Sequence, residues 1–360
     1  MKKRRLFWVV LVISVAILAG CATQVSQPTH TLTSQEYFNR GNLFAEAGEY
    51  NLAIAHYTYA IRLNPNYAEA YYGRGAVYAE LGDSNRAIAD FNEAIRLNPN
   101  FAEAYNIRGG SAYVELGDLN RPIEVYSEAI RLNPNFAEAY YNRGVAYAEL
   151  GELNRAIEDF SQAIRLNPNF AEAYYNRGVA YAELGELNRA IEDLNDAIRL
   201  NPNYAEAYYG RGVAYAELGD FSRAIADYSH AIRLDPNYFE AYNNRGDAYS
   251  NLGEFNRAIG DFNEAIRLTP NFVEPYYNRG NAYVELGEFN RAIEDYSHAI
   301  RLNPNFAEAY YNRGVVYAIL GDFNRAIADW EQLLRLNNVP EAVRSQARQN
   351  IEAAQQELRR

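Results

Sequence analysis

The sequence predicts an all-α solenoid of about nine helix-turn-helix repeats closed by a C-terminal capping helix. Three observations carry that expectation. Asn-Pro-Asn recurs at 64–66, 98–100, 133–135, 167–169, 201–203 and 303–305, with Asp235-Pro236-Asn237 and Thr269-Pro270-Asn271 as variants, and the spacing is 34 residues with a single step of 35. Between successive turns, apolar residues return at helical intervals in two separate stretches. A glycine divides those stretches, where a left-handed C-cap would end the first helix. A period of this length marks units that bury their apolar faces only by stacking on one another.

At the N-terminus, residues 1–20 read as a targeting segment outside the fold. Lys2, Lys3, Arg4 and Arg5 form a basic start, and Leu6 to Ile17 is apolar apart from Ser14. That run is shorter than the roughly 20 apolar residues of a membrane span and suits a secretory signal peptide. It ends in Leu18-Ala19-Gly20-Cys21, which resembles a bacterial lipobox. The resemblance implies cleavage before Cys21 and acyl chains such as palmitate on its thiol and new amino group. A simple signal peptide, or an uncleaved anchor with a chance cysteine, is the alternative. Cys21 is the only cysteine, so no internal disulfide is possible. Ala22 stands where an aspartate would favour inner-membrane retention, which points to the outer membrane. Residues 21–33 are polar, threonine-rich and aperiodic, and read as a lipidated tether.

The whole chain has a formal charge of −12, and removing the signal leaves 30 arginines against 46 acidic residues, a net −16 with no lysine. An acidic body of this kind excludes the basic patches that neutralise phosphates in nucleic-acid binding.

The repeats fall at 34–67, 68–101, 102–136, 137–170, 171–204, 205–238, 239–272, 273–306 and 307–340. In the fifth, Tyr174, Gly178 and Tyr181 make one helical stripe, Gly185 stops that helix, and Ala190, Leu194, Ala197 and Ile198 form the stripe of a second. The next first helix opens on Asn203-Tyr204-Ala205-Glu206, which predicts a capping box and gives the recurring glutamate a capping role. After Leu336-Asn337-Asn338 the period breaks, and 341–360 is polar enough to cap the stack with a wet outer face. The pattern Tyr71, Gly75, Tyr78, Ala87, Phe91 and Pro99 resembles the tetratricopeptide-repeat (TPR) family, and the resemblance covers almost the whole mature chain. It implies a right-handed TPR superhelix whose first helices line a concave groove.

Two departures from that family stand out. Every repeat carries arginine where the family has leucine: Arg40, Arg74, Arg108, Arg143, Arg177, Arg211, Arg245, Arg279 and Arg313. Sixteen residues on, seven repeats have Asp90, Asp159, Asp193, Asp227, Asp261, Asp295 or Asp329, which predicts an arginine–aspartate strut between the two helices of a repeat. The third repeat has one extra residue near Arg108-Gly109-Gly110-Ser111-Ala112-Tyr113, Val125 in the aspartate place, and Pro122 near the start of its second helix. A local distortion at 109–112, of the π-bulge kind, is expected there, with simple drift in a redundant repeat as the alternative.

Nothing points to catalysis, a metal or a cofactor. His30, His56, His230 and His298 are scattered with no ligand cluster around them. Gly73-Arg74-Gly75 and Gly210-Arg211-Gly212 lie inside helices and lack the rest of a phosphate loop. No serine or cysteine has a nucleophile's local signature. The chain reads as a binding protein.

The candidate binding residues form two columns on the first helices. A second aromatic follows the core one at Phe38, Tyr72, Tyr141, Tyr175, Tyr209, Tyr277 and Tyr311, replaced by Asn106 and Asn243. Beside it stand Asn39, Asn142, Asn176, Asn244, Asn278 and Asn312. The asparagine column resembles the ladder of the TPR superhelix in O-linked GlcNAc transferases and of armadillo solenoids, which implies amide contacts to the backbone of an extended peptide. Glu46, Glu80, Glu115, Glu149, Glu183, Glu217 and Glu285 should edge the same groove and favour a neutral or basic segment. The clamp residues of carboxylate-binding TPRs are missing. Together with the lipobox, these features resemble envelope TPR lipoproteins that assist pilus secretin assembly or recruit peptidoglycan hydrolases. They imply a membrane-anchored scaffold for other envelope proteins, without nucleic acid; glycan binding on the tyrosine faces is the alternative.

Overall fold

The computed structural model describes residues 32–114 and 120–360, the side chains of 109–114 excepted. The signal segment, Cys21 and Glu115 lie outside the described residues. The chain divides into a first unit up to Pro99 and a second from Asn100 onward. The first holds α1 (Ser34–Glu46), α2 (Tyr50–Leu63), α3 (Ala68–Glu80) and α4 (Ser84–Leu97). The second holds α5 (Ala102–Val114), α6 (Asn120–Leu132), α7 (Ala137–Glu149), α8 (Leu153–Leu166), α9 (Ala171–Glu183), α10 (Leu187–Leu200), α11 (Ala205–Glu217), α12 (Phe221–Leu234), α13 (Phe239–Asn251), α14 (Phe255–Leu268), α15 (Glu274–Glu285), α16 (Phe289–Leu302), α17 (Ala307–Ile319), α18 (Phe323–Arg335) and α19 (Glu341–Arg359). Among the described residues there is no strand. Odd-numbered helices up to α17 are the first helices of pairs, and even-numbered ones the second.

Among the described residues, first helices other than α5 end at the expected glycine. Gly185 has φ +76°, a conformation glycine adopts without a Cβ penalty. Its N–H donates to Ala182 O, and the Glu186 N–H donates to Tyr181 O, both at 2.8 Å. Those two bonds are a Schellman closure that satisfies the last carbonyls. The short connection then turns the chain back antiparallel.

The second helix ends at the Asn-Pro-Asn turn by a different device from the one expected. Asn201 Oδ1 accepts from the Asn203 N–H at 3.1 Å, and Asn201 O accepts from the Tyr204 N–H at 3.2 Å. The first asparagine therefore folds the turn over its proline as an Asx-turn. Tyr204 is the N-cap of α11 and makes no side-chain cap bond. The capping box expected at Asn203 and Glu206 is not formed, because Asn203 lies one residue too early. A capping box does form at Thr33 and Glu36, ahead of α1.

Packing is shared along the stack. Leu194 and Ala197 of α10 cluster with Ala207 of α11, with Tyr174 and Tyr175 of α9 packed against them. A second helix thus packs against its own pair and also against the next one, which is why a lone pair cannot complete a core. Small residues set the closeness of the helices. A Cβ on Gly144 would stand 2.8 Å from Phe160 Cε1, so glycine there admits the aromatic of the facing helix.

The third pair corrects one expectation. α5 runs as continuous α-helix from Ala102 to Val114, the same 13 residues as α3 and α7, so no π turn interrupts 109–112. Pro122 is the third residue of α6 and is buried. It sits in the first turn, where its missing N–H breaks no helical bond.

All seven arginine–aspartate struts are present. Arg177 Nε and Nη2 donate to the two carboxylate oxygens of Asp193, each at 2.7 Å. The same bidentate geometry joins Arg74 to Asp90, Arg143 to Asp159, Arg211 to Asp227, Arg245 to Asp261, Arg279 to Asp295 and Arg313 to Asp329. The sequence did not announce a third arm. Arg177 Nη1 donates to Ser161 Oγ at 2.9 Å, on the second helix of the preceding pair, and that hydroxyl in turn donates to Ile157 O. Equivalent arms reach Thr58, Ser127, Asn195, Ser229, Asn263 and Ser297. One guanidinium therefore ties three helices from two pairs. The Asp193 side chain is only 8% exposed, so removing its partner strands a buried charge. Arg177→Ala should cost roughly 3–5 kcal/mol in urea unfolding followed by circular dichroism. Replacing both residues with leucine should recover most of the loss, since an apolar pair of similar size fills the same space. A single variant as stable as the parent would refute the role.

Candidate functional site

First helices of neighbouring pairs approach one another along the second unit, α7 with α9, α9 with α11, α11 with α13 and α13 with α15. They make a face on which the two candidate columns lie side by side. The columns prove to be bonded to each other across the repeats. Asn176 Nδ2 donates to the hydroxyl of Tyr141 at 2.9 Å, Asn244 to Tyr209 at 2.9 Å, and Asn312 to Tyr277 at 3.1 Å. Where a repeat has asparagine instead of tyrosine, the same contact persists. Asn142 donates to Asn106 Oδ1 at 3.1 Å and Asn278 to Asn243 Oδ1 at 3.4 Å. Even the last helix joins in, as Asn350 of α19 donates to the Tyr311 hydroxyl at 3.4 Å.

The tyrosine rings are half-buried and do not stand free. Tyr141 lies between Phe160 and Phe170, with centroids at 5.9 and 4.7 Å. Tyr209 sits likewise between Tyr228 and Tyr238, and Tyr277 between Tyr296 and Phe306. Tyr175 packs on Tyr204 at 4.9 Å. In the first unit, Tyr72 lies 6.2 Å from Phe91, while Asn39 is exposed on α1 and accepts from Gln35 Nε2 at 3.0 Å. The expected free tyrosine wall is thus also the seam between pairs. Each donating amide commits at least one N–H to its neighbour, and the Asn244 oxygen also accepts from Asn243 Nδ2 at 3.3 Å.

Between the columns the face is notched. A cleft of about 330 Å³ between α7 and α9 is bounded by Val145, Glu149, Phe160, Asn176, Val179 and Glu183. In the first unit, one of about 520 Å³ is bounded by Phe38, Asn42, Tyr72, Ala76 and Glu80. Near the C-terminus, one of about 410 Å³ lies between Tyr277, Glu308, Tyr311, Asn312, Val343 and Gln346.

This arrangement of stacked pairs with a notched first-helix face matches a known family. Profiles described as TPR repeat match residues 41–82, 110–151, 146–185, 180–219, 214–253, 246–287 and 280–321, and one described as Tetratricopeptide repeat matches 68–101 and 307–338. The chain belongs to the tetratricopeptide-repeat family. Among solved structures, this TPR chain is similar to a tetratricopeptide repeat protein from Parabacteroides merdae, at 22% identity over 71% of this chain and 98% of that one, with a TM-score of 0.53. It is also similar to a chain of the APC/C hetero-tetramer Cut9–Hcn1, at 17% identity over 91% of this chain and 78% of that one, with a TM-score of 0.54. At these identities the likeness concerns the fold. A comparison with curated proteins gives no match. TPR proteins are in general protein–protein interaction scaffolds, and their neighbours in fold are typically non-catalytic.

The TPR face carries negative charge. Burial first, and Glu172 second, push the Tyr141 hydroxyl above the ordinary tyrosine range. Burial and Glu206 do the same to Tyr175, and burial and Glu240 to Tyr209. Glu172, Glu206 and Glu240, early in α9, α11 and α13, therefore lie beside the tyrosine of the preceding pair and are not the capping partners they were expected to be. Edge residues Glu80, Glu149, Glu183, Glu217 and Glu285 are exposed.

The histidines of the TPR array serve packing. His230 stacks on Tyr208 at 4.0 Å and His298 on Tyr276 at 4.1 Å, each with a ring nitrogen facing an arginine of its own helix. Among the described residues, no group of three or more His, Cys, Asp or Glu could hold a metal.

One carboxylate stands apart. Burial pushes the Asp247 carboxyl on α13 up to about 6 from 3.8. The folded chain thus holds this proton more tightly than the unfolded one, so ionisation costs stability. The cost is absent below the unfolded value near 4 and fully present above about 6. Asp247→Asn should therefore raise stability by roughly 1–3 kcal/mol at pH 7.5 and hardly change it at pH 4. Denaturant titrations at the two pH values test this, and an equal gain at both would assign the effect to packing.

Proposed function

We propose that this TPR protein is a membrane-anchored adaptor of the bacterial envelope that holds extended segments of other envelope proteins along its first-helix face. Lipid on Cys21 would supply the anchor, in line with the lipobox resemblance, since more than one acyl chain gives lasting attachment at roughly 0.8 kcal/mol per buried CH₂. Among the described residues no helix is long and apolar enough to cross a membrane. The observation that carries the binding role is the notched, acidic face. Clefts recur between first helices with an apolar floor such as Val145 and Val179, a fixed amide in Asn176, and a glutamate at each rim. Such a row suits a chain whose side chains drop into successive clefts while its backbone meets the amides. The rim charge favours a neutral or basic segment.

The tyrosine faces that would have suited sugar rings are wedged between other aromatics, and that favours peptide over glycan. Assembly of envelope complexes, such as secretins or hydrolases, is the task this arrangement serves, on the periplasmic side of the outer membrane.

The test leaves the tyrosines in place, because they hold the stack. Val145→Arg with Val179→Arg fills the α7–α9 cleft from its floor, and the full chain carrying both is compared with the parent in envelope pull-downs. An envelope protein retained by the parent should be lost from this variant, with helicity unchanged. Equal retention would move the binding site off this face. Separately, Cys21→Ser should abolish incorporation of labelled palmitate and shift the protein from the membrane pellet to the soluble fraction; labelling that persists would refute the lipid anchor.

A further inference from the structure

Along the first helices, one stripe at i, i+4 and i+7 lines the clefts. It reads Tyr141, Val145, Ala148 in α7, Tyr175, Val179, Ala182 in α9, Tyr209, Val213, Ala216 in α11, and Tyr311, Val315, Ala318 in α17. Val145, Ala148, Val179, Val315 and Ala318 bound clefts directly. In α13 all three places change in the same direction, to Asn243, Asp247 and Ser250, and the rim glutamate becomes Asn251.

Polar residues at the middle place occur twice elsewhere, and each has a partner. Asn42 Oδ1 accepts from the Tyr57 hydroxyl at 2.8 Å, and Asn281 Oδ1 accepts from the Tyr296 hydroxyl at 2.7 Å. Both tyrosines lie on the second helix of the same pair, fifteen residues on. For Asp247 the residue in that place is Phe262, fully buried and without a donor. The nearby cation, Arg245, is committed to both oxygens of Asp261. Other charges around the site share the sign of Asp247: after burial and Tyr209, the Tyr228 hydroxyl of α12 is pushed up by Asp247 and Glu217 together. One turn further, Ser250 Oγ is buried with no hydrogen-bond partner. Asn243, also buried, has an oxygen that accepts from Asn278 only at 3.4 Å.

A half-buried carboxylate with neither donor nor cation is costly, and so is a buried hydroxyl left unpaired. Both lie on one stripe, at places where the other described pairs are either apolar or satisfied. We propose that Asn243, Asp247 and Ser250 form a slot for one cationic side chain, lysine or arginine, of the segment bound on the first-helix face. The inference rests on the groove reading above and adds a register to it. An ammonium has three donors, enough for the carboxylate of Asp247 and the hydroxyl oxygen of Ser250 one turn further on, with Asn243 bordering the slot one turn before. Elsewhere the clefts accept apolar side chains, so the slot fixes where along the array a given segment sits.

The test uses the full chain in detergent and a display library of random twelve-residue peptides. Peptides selected on the parent should carry lysine or arginine at one common position. A synthetic winner and its Lys→Gln counterpart are then measured by fluorescence anisotropy. On the parent, the basic peptide should bind roughly tenfold to a hundredfold more tightly, the range of a charge-assisted hydrogen bond. On Asp247→Asn, an isosteric change that keeps the fold, the two peptides should bind alike, near the affinity of the Gln peptide for the parent. A basic peptide that keeps its advantage on Asp247→Asn overturns the slot, as do winners with no fixed basic position. If the parent selects no peptide at all, the groove reading itself fails and the slot falls with it.

Discussion

Seven guanidinium groups, each with three hydrogen-bonded arms, hold the second helices of this protein at fixed distances from the first helices that precede and follow them. A guanidinium in that position is a demanding choice. It must be desolvated, so it works only where a carboxylate meets two of its nitrogens and a neutral acceptor meets a third. Aspartate supplies the first from within the pair. A serine, threonine or asparagine supplies the second from the pair before. Tyrosines around each arginine, such as Tyr174 and Tyr181 near 5.8 and 5.9 Å from Arg177, complete an environment in which the cation is favoured. Because the arms cross from pair to pair, their geometry sets the angle at which successive first helices meet, and with it the spacing of the clefts.

The first-helix face is built from the same kind of cross-repeat contact. Tyrosine and asparagine, adjacent in sequence, bond not to each other but to their counterparts one repeat away. The proposed binding surface and the structural seam therefore coincide. A segment bound there as proposed would press on the bonds that hold neighbouring first helices together, and so would connect the occupancy of one cleft to the next. The aromatic packing of Tyr141, Tyr209 and Tyr277 limits how far those helices can part.

Much of this was legible in the residues. The Asn-Pro-Asn period located the helix ends, Gly185 and its equivalents located the turns, and a separation of sixteen residues paired Arg177 with Asp193. What escaped was whatever depended on a neighbouring repeat. Ser161 lies sixteen residues before Arg177, and a small hydroxyl or amide stands there in every stapled pair, but the pattern becomes meaningful only once pairs are stacked. The Tyr141–Asn176 bond was hidden for the same reason, since its partners are 35 residues apart while a nearer asparagine, Asn142, sits next to the tyrosine. The capping box failed on a shift of one residue, since Tyr204 and not Asn203 is the N-cap, and it is Asn201 that turns the chain. In the third pair α5 runs as unbroken α-helix through 109–112, so a bulge was the wrong expectation there.

The sequences of α7 and α9 are identical, AEAYYNRGVAYAE, and every staple and every tyrosine–asparagine bond reaches only to an adjacent pair. Deleting or copying the α7–α8 pair would leave each remaining junction with partners of the kind it already has, because α9 repeats α7, and α19 would still end the array by offering Asn350 to the last tyrosine. The chain is thus tolerant of changes in repeat number by unequal exchange between near-identical gene segments. Only the α13 pair, with its own polar stripe, would be missed individually. The length of the surface offered to a partner is a quantity that heredity can adjust in steps of 34 residues without redesigning a single contact.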